Sequence, residues 1–208
     1  MSPGQPATDQ TVQTRVRLEI AREISAATVH PAIAEINRIS SQAPGTHVEL
    51  HLRHNAGGSV DVLEELIECL EEAKCEIEIT YSRYIMSSAA MLWLYFYVRG
   101  VEHVSAALPL KPGVVMYHRP RWSMGYLYHC FSDEITTENP IKAKLDRKIK
   151  KFDEVFDEVI EKFYEILRNA GSHTDDGVVN QEEGIQYRHF LSRLKESYYR
   201  NQDCLIPV

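Results

Sequence analysis

The feature that most limits the fold is a regular alternation of strand and helix patterns along residues 15–118. Apolar residues at every second position predict half-buried strands, and apolar residues every three or four positions predict amphipathic helices. The predicted strands cover residues 15–24, 47–55, 76–80, 102–106 and 113–118, and the predicted helices cover residues 28–43, 60–74 and 87–98. This alternation favours a largely parallel sheet joined by right-handed crossover helices, so we predict an α/β fold.

The chain changes character after Pro120. Residues 121–140 are aromatic and rich in turn-forming residues, and a long amphipathic helix is predicted after them. Its apolar stripe comprises Leu145, Ile149, Phe152, Phe156, Val159, Phe163 and Leu167. The length of this helix favours packing against another subunit. We expect a disordered tail over residues 1–14, an α/β core over 15–140, the long helix over 141–170, and a C-terminal segment over 171–208 that returns to the core.

Composition narrows the classes of function. The formal net charge of −7 argues against a general nucleic-acid binder, because neutralising phosphates needs clustered lysine and arginine. The four cysteines form no CxxC pair, which favours free thiols in a reducing compartment. No segment has the roughly 18 to 20 consecutive apolar residues of a membrane span, and the polar N-terminus is unlike a secretory signal. We expect a soluble cytoplasmic protein that binds neither nucleic acid nor membranes and uses no metal or other cofactor.

The motif NAGGSV, residues 55–60, follows the second predicted strand and opens the second predicted helix. The adjacent Gly57 and Gly58 allow a sharp turn and leave backbone amides unshielded, and such amides can stabilise a developing oxyanion. An ordinary strand-to-helix turn with Ser59 as the N-cap explains the same residues. The motif by itself leaves both interpretations open.

Two serines, Ser87 and Ser88, occupy the next strand-to-helix junction. In a parallel sheet such junctions open at the edge where α/β proteins bind ligands, and a serine there lies at the positive end of a helix dipole. Two serines that cap a buried helix are the alternative. The last predicted strand ends at His118, a candidate general base, and Asp175 and Asp176 follow the long helix as candidate partners of that base. A structural histidine and a surface turn are the alternatives for these residues.

Together these motifs resemble those of the Clp protease (ClpP-like) family of serine peptidases, within the crotonase-like fold. NAGGSV is similar to the family's SPGGSV, SSAAM at 87–91 to its nucleophile turn, and MYHRP at 116–120 to its MIHQP. The family's long handle helix corresponds to residues 141–169. Its DxxxSxxEAxxY pattern corresponds to Asp176, Asn180, Glu183, Gly184 and Tyr187. The order of the motifs and the distances between them agree over roughly residues 15–195.

The resemblance implies a serine endopeptidase with a Ser–His–Asp triad. Ser88 would be the nucleophile and His118 the general base that takes its proton. Asp176, rather than Asp175, would be the acid that holds the imidazole in the right tautomer.

The resemblance also implies an oxyanion hole and an assembly. The amides of Gly58 or Gly57 and of Ala89 would bind the oxyanion. The core would be a spiral of repeated β-β-α units with a protruding handle helix. Handle helices of several copies would join into a homo-oligomeric ring, either a heptamer or a stacked double ring, that encloses the active sites and admits peptide or unfolded protein substrates.

The chain also departs from the family. No N-terminal helix or axial loop is recognisable ahead of residue 15, so the resemblance does not extend to dependence on an ATPase unfoldase. The glycine-rich segment that pairs with substrate in the family is replaced by residues 121–140, in which Trp122 and Tyr126 are candidates for substrate binding. The sequence therefore indicates a divergent member of the family.

Two other functions fit parts of the pattern. A non-catalytic or latent ClpP-like scaffold subunit would keep the fold with a misaligned triad, although all three triad positions are filled here. A crotonase-type acyl-CoA enzyme would share the fold and the Gly-Gly motif. It needs no ordered Ser–His–Asp set, which ranks it below the peptidase.

Overall fold

A computed structural model of the chain describes residues 15–111, 113–124, 128–171 and 179–208, and these residues form the α/β fold that the alternation predicts. The central sheet has six strands. The short β4 (Val104–Ala106) runs parallel to β3, and β8 (Cys204–Ile206) pairs antiparallel with β5. The other four strands run parallel in the order of the chain: β1 (Arg15–Ala21), β2 (His47–Asn55), β3 (Glu76–Met86) and β5 (Val114–Tyr117).

Three helices connect the parallel strands and contact one another in turn. They are α1 (Ala26–Gln42), α2 (Val60–Glu72) and α3 (Ser87–Arg99). Right-handed crossovers between strands in sequential order place all connecting helices on the same face of a sheet. Apolar residues that pair across β1, β2 and β3 form the sheet surface on which these helices pack. One row of paired residues is Leu18, Leu50 and Ile79, and the next is Ile20, Leu52 and Tyr81.

β3 is longer than the predicted strand over residues 76–80, because it continues through a bend to Met86. The bend lies at Arg83, whose φ is 64°, and His54 on β2 has a φ of 46°. The pairing of the two strands shifts register between Arg53 and Asn55 at this point. Such a bulge interrupts the two-residue period, which is why the alternation of the sequence ends before the strand does.

The long helix α4 (Pro140–Gly171) packs on its own chain over most of its length. Phe152, Phe156 and Val159 are each at most 1% exposed and belong to the same hydrophobic core as the sheet. The expectation that another subunit covers the stripe is therefore wrong for residues 145–163, and this part of α4 is not a protruding handle. Aromatic residues elsewhere in the fold, including Tyr117 and Tyr198, supply the surface that covers it.

The C-terminal segment returns to the sheet. Helix α5 (Val179–Tyr199) packs along α4. The strand β8 follows α5 and pairs with β5, and the sequence pattern does not predict β8. Between β5 and α4 lie the hairpin of β6 (Trp122–Met124) and β7 (Tyr128–Cys130) and a short 3₁₀ helix (Ser132–Glu134). Within the described ranges, no helix is both long enough and apolar enough to cross a membrane.

Candidate functional site

The carboxyl ends of β3 and β5 bring the two serines and the histidine to one edge of the sheet. The β3–β5 ladder ends at the pair Met86 and Met116. Neighbouring strands lie about 4.8 Å apart, so the residues that follow leave the sheet side by side. Ser87 and Ser88, which we call the serine pair, follow β3, and His118 lies two residues beyond Met116.

The glycine turn, residues 55–59, lies against this edge. Asn55 is fully buried, and its side-chain oxygen accepts a hydrogen bond from the amide of Gly57 at 3.0 Å. The Ser59 amide donates to the carbonyl oxygen of Ile24 at 2.8 Å. The Gly58 amide, between them, donates to no protein atom that the structure describes. Gly58 is therefore the glycine with a free donor, while the Gly57 amide is already occupied.

The interpretation of the NAGGSV motif as a capped strand-to-helix turn is confirmed, and the oxyanion interpretation stays a prediction. The Ser59 hydroxyl caps α2 by accepting a hydrogen bond from the Val62 amide at 3.3 Å. The φ of Gly57 is 86°, and a Cβ at this position would lie 2.6 Å from the carbonyl oxygen of Met86. Only a glycine fits there, because the turn packs directly against the start of α3. The motif thus caps one helix and contacts the N-terminus of the next.

Neither member of the serine pair caps α3. Its N-cap is Met86, and no described side chain makes a capping hydrogen bond there. The first-turn amides of a helix, which here include that of Ala89, have no partner within the helix. They carry the positive end of the helix dipole, and the first turn contains no acidic residue to offset it. The start of α3 is thus suited to stabilise a negative charge.

The two serines differ in access and conformation. Ser87 is half-buried and has a φ of 53°, the sharp left-handed turn by which some hydrolases expose a nucleophilic serine. Ser88 is 0% exposed, and its hydroxyl oxygen has no hydrogen-bond partner among the described residues. Ser88 therefore makes no hydrogen bond to His118 in this structure. The assignment of the nucleophile to Ser88 stays a prediction, and Ser87 is the more accessible hydroxyl.

His118 is held in one tautomer by its own neighbour. Its Nδ1 lies 2.7 Å from the carbonyl oxygen of Arg119, and because a carbonyl only accepts, Nδ1 carries the proton. In the neutral ring Nε2 then keeps its lone pair, and Nε2 has no partner among the described residues. Burial of the ring lowers the pKa of His118 below its usual value. The imidazole is therefore a free base at neutral pH, as a general base must be.

Charged neighbours adjust this pKa in both directions. Burial, which lowers the pKa of His118, is the largest influence on it. The Arg119 carbonyl and Asp203 raise this pKa, whereas Arg121 and His129 lower it. The antiparallel β5–β8 ladder ends at the pair Tyr117 and Cys204. His118 and Asp203 are the next residues beyond this pair, one on each chain segment. Asp203 also forms an ion pair with Arg121. No local sequence pattern points to Asp203, because its position beside His118 depends on β8.

Two predicted site residues lie outside the described residues. They are Asp176, the predicted orienting acid, together with its alternative Asp175, and Tyr126, one of the two candidates for substrate binding. Trp122, the other candidate, is 36% exposed and lies beside the glycine turn.

A cleft of about 470 Å³ adjoins the glycine turn. One wall is Gly58 and the first residues of α2, the second is the segment from Pro120 to Ser123, and the third is the first turns of α4. Gly58, whose amide has no partner among the described residues, is one of the residues that line this cleft. Among the described residues, no group of three or more histidine, cysteine or acidic side chains could hold a metal ion.

No protein-family model matches the chain, and a search of curated proteins finds no match either.

Proposed function

We propose that the chain is a serine endopeptidase in which a member of the serine pair attacks a peptide carbonyl and His118 is the general base. One observation carries the proposal: a single edge of the sheet combines the uncapped N-terminus of α3, the free amide of Gly58 and a histidine whose Nε2 is available. An ordinary turn between a strand and a helix needs none of these three features. Acyl transfer uses amides of this kind to bind the oxyanion and a base of this kind to activate the nucleophile.

The proposed reaction has two steps. In the first, the serine oxygen bonds to the substrate carbonyl carbon while its proton passes to Nε2 of His118, and the oxyanion accepts hydrogen bonds from the amide of Gly58 and the amide after the nucleophile. Nε2 then gives its proton to the leaving amine, and an acyl-enzyme remains. In the second step water attacks the acyl carbon, transfers its proton through Nε2 to the serine oxygen, and releases the carboxylic acid.

The second oxyanion donor depends on which serine reacts. If Ser88 is the nucleophile, the amide after it is that of Ala89, and if Ser87 is the nucleophile, it is that of Ser88. Either amide lies in the uncapped first turn of α3. The resemblance assigns the orienting acid to Asp176, while the carbonyl of Arg119 already fixes the tautomer that the reaction requires.

A ClpP-like or crotonase-like spiral core is part of the proposal, and the order of the strands supports it. Parallel strands in sequential order, with their connecting helices in contact one after another, are what such a spiral requires. Assembly into a homo-oligomer is part of the proposal. The buried stripe of α4 no longer argues for it, but the exposed side chains of Ile166 on α4 and of Ile185 and Phe190 on α5 do.

A latent state of the same enzyme is the second candidate. It is favoured by Ser88, whose hydroxyl group is closed to solvent and lacks a hydrogen-bond partner among the described residues. A peptidase of this form would need the start of α3 to rearrange before Ser88 could react.

Incubation with an unfolded protein such as reduced, alkylated casein tests the proposal, with cleavage products identified by mass spectrometry. We expect internal cleavage that His118→Gln abolishes while the variant keeps the wild-type circular dichroism spectrum. Cleavage that persists in His118→Gln would assign the activity to another protein or another site. A latent enzyme would cleave only after a change in conditions that also exposes Ser88 to labelling.

A further inference from the structure

We propose that the cleft beside Gly58 binds an anionic group on the acyl part of the substrate, so that the enzyme prefers peptides with an acidic side chain next to the scissile bond. This inference rests on the proposed function and adds a substrate class to it. It is carried by the charges that line the cleft, which have no part in the proposed reaction.

The cleft adjoins the glycine turn and has room for a side chain. Gly58 belongs to its wall, and so do Trp122 and Leu145 on the opposite sides. Its volume of about 470 Å³ exceeds that of any single amino-acid side chain. An acyl group whose carbonyl oxygen meets the Gly58 amide can therefore extend its side chain into this space.

The cationic groups of α4 that line the cleft outnumber the anions that balance them. Lys144 and Lys148 both bind one carboxylate, that of Asp61, at 3.0 and 2.7 Å. These hydrogen bonds lower the pKa of Asp61, first through Lys148 and then through Lys144. One carboxylate cannot neutralise two ammonium groups, so this cluster has an excess of one positive charge. Arg121, the remaining cation of the cleft, is balanced by Asp203.

The positive excess is local, because the chain as a whole carries a net charge of −7. The side chain of Lys148 is only 15% exposed, so water screens its ammonium group less than that of a surface lysine. Part of the wall is apolar, with Val60, Ile141 and Leu145 among the lining residues. A cleft with a partly apolar wall and an under-neutralised lysine pair fits a short aliphatic chain that ends in a carboxylate, as in glutamate.

Two acetylated peptide amides that differ only in a central Glu or Gln test the charge preference directly. They have nearly the same shape, and their binding can be followed by tryptophan fluorescence, because Trp122 lines the cleft while Trp93, the other tryptophan, is 0% exposed. Trp122→Phe serves as the control for the origin of the signal. We expect the Glu peptide to bind about 3- to 10-fold more tightly at low salt, with a smaller ratio at high salt.

Two variants should move this ratio in opposite directions. Lys148→Gln removes one cation and should bring the Glu-to-Gln ratio close to one. Asp61→Asn removes the shared carboxylate, frees both lysines and should raise the ratio above the wild-type value. A variant that is only structurally impaired would bind both peptides more weakly by the same factor, and the ratio would not change. Equal binding of the two peptides, no saturable binding of either, or the same ratio in both variants would overturn the inference.

Labelling with a fluorophosphonate separates this inference from the proposed function, because the small probe reports an activated serine and carries no acidic side chain. Serine labelling without a Glu preference would leave the peptidase standing and overturn the anionic cleft. A Glu preference that shifts with Lys148 and Asp61, but without labelling, would support the cleft as a binding site and overturn the catalytic proposal.

Discussion

Gly57 and Ser87 touch across two strand-to-helix turns, so closely that a Cβ at Gly57 would lie 2.6 Å from the Cβ of Ser87. The contact joins residues 30 positions apart in the sequence and fixes where the serine pair lies relative to the glycine turn. It also places the free amide of Gly58 next to the start of α3. The candidate oxyanion hole and the candidate nucleophile are thus built by one contact.

Gly57→Ala should disrupt this contact. An alanine at a φ of 86° is strained, and its methyl group would lie 2.6 Å from the backbone oxygen of Met86, which cannot move aside as a flexible side chain can. We expect a loss of about 1 to 3 kcal/mol in the free energy of unfolding, measured by urea denaturation. Fluorophosphonate labelling of the remaining folded protein should fall at least ~10-fold, since the turn and α3 must separate.

Gly45→Ala is the matched control, because no atom lies within 4 Å of the added methyl group. It should change the free energy of unfolding by less than about 1 kcal/mol and leave labelling unchanged. Equal effects of the two alanines would show that the close approach at Gly57 has no role in the site.

Access should decide which serine reacts in the described state. Ser87 is half-buried at a left-handed turn, whereas Ser88 is 0% exposed. We expect Ser87→Ala to lose fluorophosphonate labelling and Ser88→Ala to keep most of it, as measured by intact-protein mass. The reverse pattern would assign the nucleophile to Ser88, as the resemblance does, and would require the turn to open before reaction.

The labelling rate should depend on the protonation of His118. Burial lowers the pKa of His118 below its ordinary value of 6.5, and only the neutral ring can accept the serine proton. The rate should therefore rise with pH, with an apparent pKa below 6.5, and be constant around neutrality. A rate that keeps rising above pH 7 would mean that another group is the base.

The same shift has a consequence for stability. Because the folded protein favours neutral His118, the unfolded chain takes up the proton first as the pH falls. The stability that this provides is present above pH 6.5 and is lost as the pH falls through the lowered pKa of the folded state. Unfolding of His118→Gln measured over the same pH range should lack this part of the pH dependence.

Asp203 and Asp176 should be separable by their effects. Asp203 raises the pKa of His118, so Asp203→Asn should move the acid limb of the labelling profile to lower pH, while Arg121 and His129 still lower that pKa. Asp176→Asn should instead reduce the plateau rate about 100-fold or more if this residue orients the imidazole as the resemblance implies. An acid limb that Asp203→Asn leaves in place would exclude an effect of Asp203 on the base.

Phe156→Ala tests whether the stripe of α4 is internal. Phe156 is 0% exposed and stacks on Tyr198 with ring centroids 3.8 Å apart. The substitution should lower the free energy of unfolding by about 3 to 5 kcal/mol, and the loss should not depend on protein concentration. Lys150→Ala, at a side chain that is 80% exposed on the same helix, should cost no more than about 0.5 kcal/mol. A loss that changes with protein concentration would instead place Phe156 in a subunit interface.

The alternation of apolar residues was sufficient to predict the parallel strands and their connecting helices, because local periodicity reports which face of each element is buried. The bend in β3 was not predictable in this way, since the extra residue of the bulge lies on β3 and is defined only by its pairing with β2. β8 was missed for a related reason. It consists of three residues and exists through its antiparallel pairing with β5.

The site was predictable in its residue types more than in its geometry. Motif order identified the glycine turn, the serine pair and His118, and the structure places them at one edge of the sheet. The difference between the two serines depends on the contact of Ser87 with Gly57, which no local pattern contains. The same holds for the carbonyl of Arg119, because any residue after His118 could supply it.

Fluorophosphonate labelling of the wild-type chain and of His118→Gln, followed by peptide mapping, tests the central claim most directly. We predict covalent addition to the peptide that contains Ser87 and Ser88, at a rate that falls at least ~100-fold in folded His118→Gln. Absence of label from that peptide, or label that forms equally fast without His118, would contradict the claim that this edge of the sheet activates a serine.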